Sequence, residues 1–506
     1  VGVQSFIVAI TMPILSLDAG TTSTRAMVFA HDGDVLARAQ RPFAQHFPRD
    51  GWVEHDADEI WDATLACARD AISASGHGAR DIAAIGLAVQ RETIVVWHRA
   101  TGRPVHRAIV WQDRRTADAC AALAADPAAA ALVARTGLLL DPYFSATKLA
   151  WILDHVEGAR AAAERGELLA GTIDSWLLWR LTDGRVHATD ATNASRTLLF
   201  DIHRLAWDDE LCALFRVPRR MLPEVRDSAG DFGVASPALF GASIPIRSAI
   251  GDQQAAAVGQ DCVAAGQGKA TYGTGCFVLA HTGDAPRVSR HRLLATVALQ
   301  LNGRATYALE GSIFNAGTVV QWLRDRLGLI ATAEETATIA ASIGSSHGVY
   351  LVPAFTGLGA PWWDPGARGA ITGLTRDTGR AEIVRAALES VALQTRDLAR
   401  AFAEDGVPLS TLRVDGGMAA NDWLMQAVAD QLRLPVERPA VLETTAWGAA
   451  RLAGMEAGVY PRLGSPAVRR VERTFTPAAD PADVDRLHQG WLAAVARART
   501  REGQQG

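Results

Sequence analysis

Ala249-Ile250-Gly251-Asp252-Gln253-Gln254 is an apolar run that stops at a Gly-Asp pair and continues into amide side chains. Other stretches share its form. Ile14-Leu15-Ser16-Leu17-Asp18-Ala19-Gly20-Thr21-Thr22-Ser23-Thr24-Arg25 lies upstream and Ala270-Thr271-Tyr272-Gly273-Thr274-Gly275-Cys276-Phe277 downstream, with Leu412-Arg413-Val414-Asp415-Gly416-Gly417 further on. Each is a short strand-like run that ends in a turn of Gly, Thr or Asp. Such turns expose backbone N–H groups and hydroxyls that can hold phosphate oxygens. Asp18 and Asp252 stand where a carboxylate can meet a metal or a proton. Spread along the whole chain, these turns predict α/β domains that close on one nucleotide.

The bulk properties narrow the field. The chain has 506 residues, 49% hydrophobic and 21% charged, an ordinary soluble composition with room for about two to four domains. A net charge of −5 leaves no electrostatic footprint for nucleic acid or an anionic membrane. No apolar run reaches the roughly 18 residues of a membrane span. Cys67, Cys120, Cys212, Cys262 and Cys276 are scattered without C-x-x-C spacing, which fits a reducing, cytoplasmic setting and argues against disulfides or structural zinc. Residues 1–13 read as an extension outside the fold, with Met12 the expected start. Phe6 to Ile10 is apolar but lacks the basic lead and cleavage site of a signal peptide. The lysines are Lys148 and Lys269, and neither sits in G-x-x-x-x-G-K-[ST]. V-A-I-K with H-R-D and D-F-G is absent too, so neither a P-loop nor a protein kinase is encoded. Phosphoryl chemistry would fall to backbone amides, hydroxyls, Arg and a metal.

Along the chain, Ile14 to Glu54 alternates strand and turn, with a hairpin turn at His31-Asp32-Gly33-Asp34. Asp56 caps an expected helix to Ser73, whose apolar face is Ile60, Trp61, Leu65, Ala68 and Ile72. Strands are expected over 82–89 and 93–97, and helices over 116–135, 145–154, 381–402 and 421–432. The strand–turn–strand of Lys269 to Leu279 repeats that of Ile14 to Phe29, which sets a domain boundary near 259–266. The tail, 483–500, reads as an Arg-rich surface helix.

Six longer motifs follow in order: Gly51-Trp52-Val53-Glu54-His55-Asp56, Gln90-Arg91-Glu92-Thr93, Ala108-Ile109-Val110-Trp111-Gln112-Asp113-Arg114-Arg115, Asp141-Pro142-Tyr143-Phe144, Gly171-Thr172-Ile173-Asp174-Ser175-Trp176 and Thr192-Asn193-Ala194-Ser195-Arg196-Thr197. With the turns, they make the chain from about Ile14 to Gly454 resemble the FGGY carbohydrate-kinase family of the actin/Hsp70/hexokinase-like ATPase fold. Within it the likeness is to the members that phosphorylate glycerol. The resemblance implies an α/β fold of two ribonuclease H-like ATPase domains with an interdomain active-site cleft. Residues 14–262 would be the N-terminal domain, holding polyol and phosphate, and 263–506 the C-terminal domain, holding nucleotide. It implies Mg2+-dependent transfer of the γ-phosphoryl group of ATP to glycerol, giving sn-glycerol 3-phosphate, by a homodimer or homotetramer.

The residue roles carry over position by position. Asp252 is the expected general base, although from local sequence alone it reads also as a helix N-cap. Asp18 and Asp252 would face the metal. Thr21, Thr22, Ser23, Arg25, Gly273 and Thr274 would face the phosphates, and Gly317, Gln321, Gly417 and Asn421 the rest of the nucleotide. Arg91, Glu92, Trp111, Tyr143, Asp252, Gln253 and Phe277 would hold glycerol: paired donors and acceptors for its hydroxyls, flat apolar faces for its carbon edge. Ala19 stands where these members usually have Gln, Ala191 where many have an aromatic residue, and Leu358-Gly359-Ala360-Pro361-Trp362 where Leu-Phe-Ala-Pro-Tyr is usual. These departures keep a kinase for erythritol or dihydroxyacetone open, and a non-catalytic polyol sensor stands as the reading from another class. Ser243 and Ala238 occupy the places of the Arg and His through which some members are controlled by fructose 1,6-bisphosphate or phosphorylation, so neither control is expected.

Overall fold

The computed structural model describes residues 12–465 and 470–500. The expected N-terminal extension lies outside the described residues up to position 11. Two mixed sheets organise the chain, and their central strands share one order and one set of directions. In the first, Ile14–Ala19 runs antiparallel to Ser23–Phe29 and parallel to Ala84–Val89. Val35–Pro42 lies beyond Ser23–Phe29, and Ile244–Gly251 lies parallel beyond Ala84–Val89. In the second, Gln267–Tyr272 runs antiparallel to Cys276–Gly283 and parallel to Thr411–Asp415. Arg304–Ile313 and Val436–Pro439 flank these as their counterparts do in the first. The repeat read from the two Gly/Thr turns is therefore a repeat of topology. Strands covered on both faces read as continuous apolar runs rather than alternating ones, as Ile14, Leu15 and Leu17, all fully buried, illustrate.

The expected helix after Asp56 forms over Ala57–Ala74, and the Asp56 carboxylate accepts from the N–H groups of Asp58 and Glu59. Two helices lie between the sheets. Asp252–Gly259 leaves the end of Ile244–Gly251, and Thr444–Glu456 crosses it at glycines. A Cβ on Gly448 would lie 1.8 Å from the Ala255 carbonyl oxygen, and one on Gly259 2.1 Å from that of Thr444. Thr444–Glu456, late in sequence, also sits on the first sheet, where Ser248 Oγ donates to the Ala449 carbonyl at 2.8 Å.

One expectation fails locally and another gains an unforeseen anchor. The helix read over 116–135 is broken into Ala117–Ala124, a 3-10 turn at Pro127–Ala131 and Leu132–Thr136, because Pro127 has no N–H to continue the ladder. The tail helix forms over Pro481–Ala498 with most of its residues at the surface, and one face anchors it. Trp491 is fully buried, and its Nε1 and His488 Nε2 both meet the Asp397 carboxylate, at 2.7 and 2.8 Å.

Candidate active site

Hairpin register sets the first part of the site. Asp18 and Arg25 face each other across the Ile14–Ala19/Ser23–Phe29 pair, on either side of the Gly20-Thr21-Thr22 turn. Burial pushes the Asp18 carboxyl up to about 7; Arg25 pulls it back in part, and the nearby Asp252 carboxylate raises it further. Two carboxylates close enough for one to raise the other's proton affinity could hold a hard cation through oxygen and water ligands. The donor set therefore fits Mg2+ at Asp18 and Asp252, although no group of three or more His, Cys, Asp or Glu gathers for a metal among the described residues.

Asp252 is the first residue of its helix. Gly251 takes the N-cap position, so the capping alternative read from sequence shifts by one residue. The Asp252 side chain is 26% exposed, and its Oδ1 lies 3.3 Å from Arg91 Nε. Burial raises its pKa, while Arg91 and Lys269 oppose the shift. Its neighbour Gln253 is held through Oε1 by the Lys269 ammonium, which also donates to Thr271 Oγ1 at 2.7 Å.

The expected polyol side chains gather around Arg91. Its Nε reaches Glu92 Oε1 at 4.0 Å as well as Asp252. Trp111 packs edge-on against Tyr143 (centroids 5.5 Å apart) and Phe277 (6.2 Å), giving apolar walls from both halves of the chain. Trp111 Nε1 donates to Thr21 Oγ1 at 2.9 Å, which ties this aromatic wall to the first Gly/Thr turn. Lys148 Nζ donates to the carbonyls of Val110 (3.1 Å) and Tyr143 (2.8 Å), so it fixes the backbone beneath both rings. Burial pushes that ammonium down to about 7 against the pull of Glu92, Asp113 and Asp141.

On the nucleotide side, the N–H of Gly317, at the start of the Gly317–Asp325 helix, donates to the Gly273 carbonyl at 2.9 Å. The Thr274 carbonyl accepts from the N–H groups of Ala316 and Thr318. Gly416 has φ +85, and a Cβ there would meet the Tyr272 carbonyl oxygen at 2.5 Å. The second Gly/Thr turn, the Gly317 helix start and the Gly416-Gly417 turn thus adjoin one another. Gln321 lies one helical turn beyond Gly317 and is exposed, as is Gly417. Thr22 is exposed at the tip of the first turn, and Ser23 Oγ accepts from Gln40 Nε2. Asn421 stands at the rim. It caps the Asp422–Leu432 helix through Leu424 N and donates through Nδ2 to Thr336 Oγ1.

Sequence reasoning assigned no role to Arg196, Glu310, Lys148 or Lys269, all buried at this site. A signal existed for Glu310, a lone carboxylate inside the apolar run Tyr307-Ala308-Leu309-Glu310-Gly311, since a buried charge implies a partner. The departure at Gly359 has a steric cause. A Cβ there would lie 2.3 Å from the Ser312 carbonyl oxygen, so this backbone path excludes a larger residue.

Residues 13–259 match the FGGY family of carbohydrate kinases, N-terminal domain, and residues 268–457 match its C-terminal domain. The chain is 58% identical over 488 residues to a glycerol kinase of Rhodospirillum centenum, covering 96% of this chain and 98% of that one. It is 58% identical over 490 residues to glycerol kinase 1 of Pseudomonas aeruginosa, covering 96% and 99%. The crystal structure of Plasmodium falciparum glycerol kinase with ADP superposes with a TM-score of 0.91 at 34% identity, covering 97% of this chain and 99% of that one. A gluconate kinase from Lactobacillus acidophilus, at 20% identity and a TM-score of 0.86, shares the fold.

Proposed function

The chain belongs to the FGGY family of carbohydrate kinases, and from that premise we infer that it transfers the γ-phosphoryl group of ATP to glycerol, giving sn-glycerol 3-phosphate. The fold alone does not choose the acceptor. The observation that carries the choice is Arg91, whose Nε lies 3.3 Å from Asp252 and 4.0 Å from Glu92, together with the edge-on cluster of the Trp111, Tyr143 and Phe277 rings. That spacing offers a donor, an acceptor and a base to adjacent hydroxyls, with flat walls for a thin carbon edge. Asp252 takes the proton of the terminal hydroxyl as the new P–O bond forms, and Arg91 keeps its carboxylate oriented. Gln253, held by Lys269, contacts the same end of the acceptor.

The nucleotide binds with its phosphates between the two Gly/Thr turns, against Thr21, Thr22, Ser23, Arg25, Gly273 and Thr274. The rest of it lies along Gly317, Gln321, Gly417 and Asn421. Arg25 offsets charge on the γ-phosphoryl oxygens. Asp18 and Asp252 would hold Mg2+, directly or through water, and the ion would supply charge neutralisation to the phosphates. Residues 14–262 and 263–506 act as the two domains, closing on the ternary complex and excluding water. The working form is a cytoplasmic homodimer or homotetramer, which light scattering of the purified chain would check.

The test is ADP release with Mg-ATP against glycerol, dihydroxyacetone, erythritol, xylulose and no acceptor. Glycerol is expected to give the highest kcat/KM. Preference for another polyol would move the acceptor assignment, and absence of acceptor-dependent turnover would favour a sensor.

A further inference from the structure

Arg91 and Glu92 belong to a closed ring of buried charges. Arg91 Nη1 donates to Glu310 Oε2 at 2.6 Å, and Arg196 Nη2 donates to Glu310 Oε1 at 2.8 Å. Arg196 Nε donates to Glu92 Oε1 at 2.6 Å, and Glu92 returns to Arg91 at 4.0 Å. The four side chains are between 0 and 2% exposed. Glu310 comes from the second sheet, directly opposite Leu279 and two residues along from the partner of Phe277, so it faces the pocket on the side of that wall. Arg91, Glu92 and Arg196 come from the first half of the chain.

We propose that Glu310 and Arg196 are positioning residues for the acceptor: they hold Arg91 and Glu92 in the orientation that receives hydroxyls, and through Glu310 they make that orientation depend on how the two halves meet. This rests on the reading of Arg91 and Glu92 as the acceptor-holding pair. A ring of this kind is a poor stability device, since apolar residues of the same volume commonly serve as well or better. Its geometry instead over-determines one spot. Glu92 has φ +61, a left-handed conformation unusual for a side-chain-bearing residue, and its carbonyl accepts from Ser145 Oγ at 2.9 Å. Arg196 lies beneath the acceptor wall, its guanidinium carbon 5.7 Å from the Tyr143 ring centroid. The segment that delivers Arg196 also braces the base. Asp190 accepts from Thr192 Oγ1, and Thr192 Oγ1 accepts from the N–H of Gly251, the residue before Asp252. The Thr192 to Thr197 motif thereby grips both the acceptor pair and the start of the catalytic helix. Burial favours the neutral Glu310 acid, but Arg196 and Arg91 override it and hold the carboxyl down at about 2, whereas at Glu92 burial outweighs the two arginines and raises the carboxyl.

The experiment compares wild type with Glu310→Gln and with the double variant Arg196→Met/Glu310→Leu. The double variant removes one charge of each sign, so it keeps a foldable core if the single variant is unstable. KM for acceptor, KM for ATP and Tm are measured with whichever polyol wild type phosphorylates best. A failure of the glycerol assignment would therefore show in the wild-type acceptor panel and leave this comparison intact. We expect acceptor KM to rise by about 10- to 100-fold with ATP KM within about threefold, whatever the change in Tm. A purely structural ring would lower Tm or the active fraction and leave acceptor KM within about threefold of wild type. That result in the folded variants would overturn the inference.

Discussion

Asp252 is pulled two ways, since burial raises its proton affinity while Arg91 and Lys269 lower it. For the proposed base role, burial makes the carboxylate more basic while Arg91 and Lys269 favour its charged form. Replacing Asp252 with Asn should lower kcat by roughly 10²- to 10⁴-fold and leave acceptor binding largely in place. A loss below about threefold in steady-state kinetics would remove Asp252 from the base role. His187 gives a pH-dependent prediction. Burial, reinforced by Arg99 and only partly offset by its 2.9 Å contact with the Ala170 carbonyl, pushes the imidazole from 6.5 down to about 4. An unfolded chain takes up this proton below about 6.5 and the folded chain refuses it until about 4. The associated stability is complete above the upper value and is lost as pH falls through the window, by up to roughly 3 kcal/mol. The stability gap between wild type and His187→Phe should shrink accordingly between those pH values; a constant gap would contradict the neutral-histidine account. The residues expected to hold the polyol could be proposed from sequence because each pairs a chemical need with a motif. Glu310 and Arg196 could not, because their partners lie 219 and 114 positions away and only the folded sheets bring them together.

The two glycine-threonine hairpins were readable as elements because a turn needs particular residues at particular places, whatever surrounds it. The anchor of the tail helix was not legible because Trp491 meets Asp397 in another helix, a partner that periodicity cannot name. The same limit hid the contact between the second phosphate turn and the helix that follows it. Gly317 donates to the Gly273 carbonyl, and a Cβ there would stand 2.6 Å from that oxygen. Both groups are backbone, so Gly317→Ala must move the turn rather than a rotamer. ATP KM should rise by about tenfold, the equivalent of about 1.4 kcal/mol, while acceptor KM stays within about twofold. Unchanged ATP KM in a folded variant would separate this turn from nucleotide binding.

At the scale of the molecule, the helix that begins with Asp252 ends in the crossing between the two sheets. Gly448 of the crossing helix approaches the Ala255 carbonyl so closely that a methyl group would lie 1.8 Å from that oxygen. Gly86 makes a second such approach, 2.3 Å from the Ala449 carbonyl oxygen, on the first sheet. The Thr444–Glu456 helix is thus wedged between the Asp252 helix and the strands beneath it, with a backbone carbonyl at each glycine approach. Gly448→Ala should therefore lower Tm by several degrees or more, the signature of overpacking by about 1–3 kcal/mol. Because the displaced neighbour is the Asp252 helix, kcat should fall as well, even in protein that remains folded at the assay temperature. Gly344, with open space around its Cβ position, is the matched control, and Gly344→Ala should change neither quantity. A Gly448→Ala enzyme with lowered Tm but wild-type kcat would mean that the crossing supports the fold without setting the base. Loss of both would make the packing of two glycine-bearing helices the route by which the relation of the sheets reaches the reacting hydroxyl.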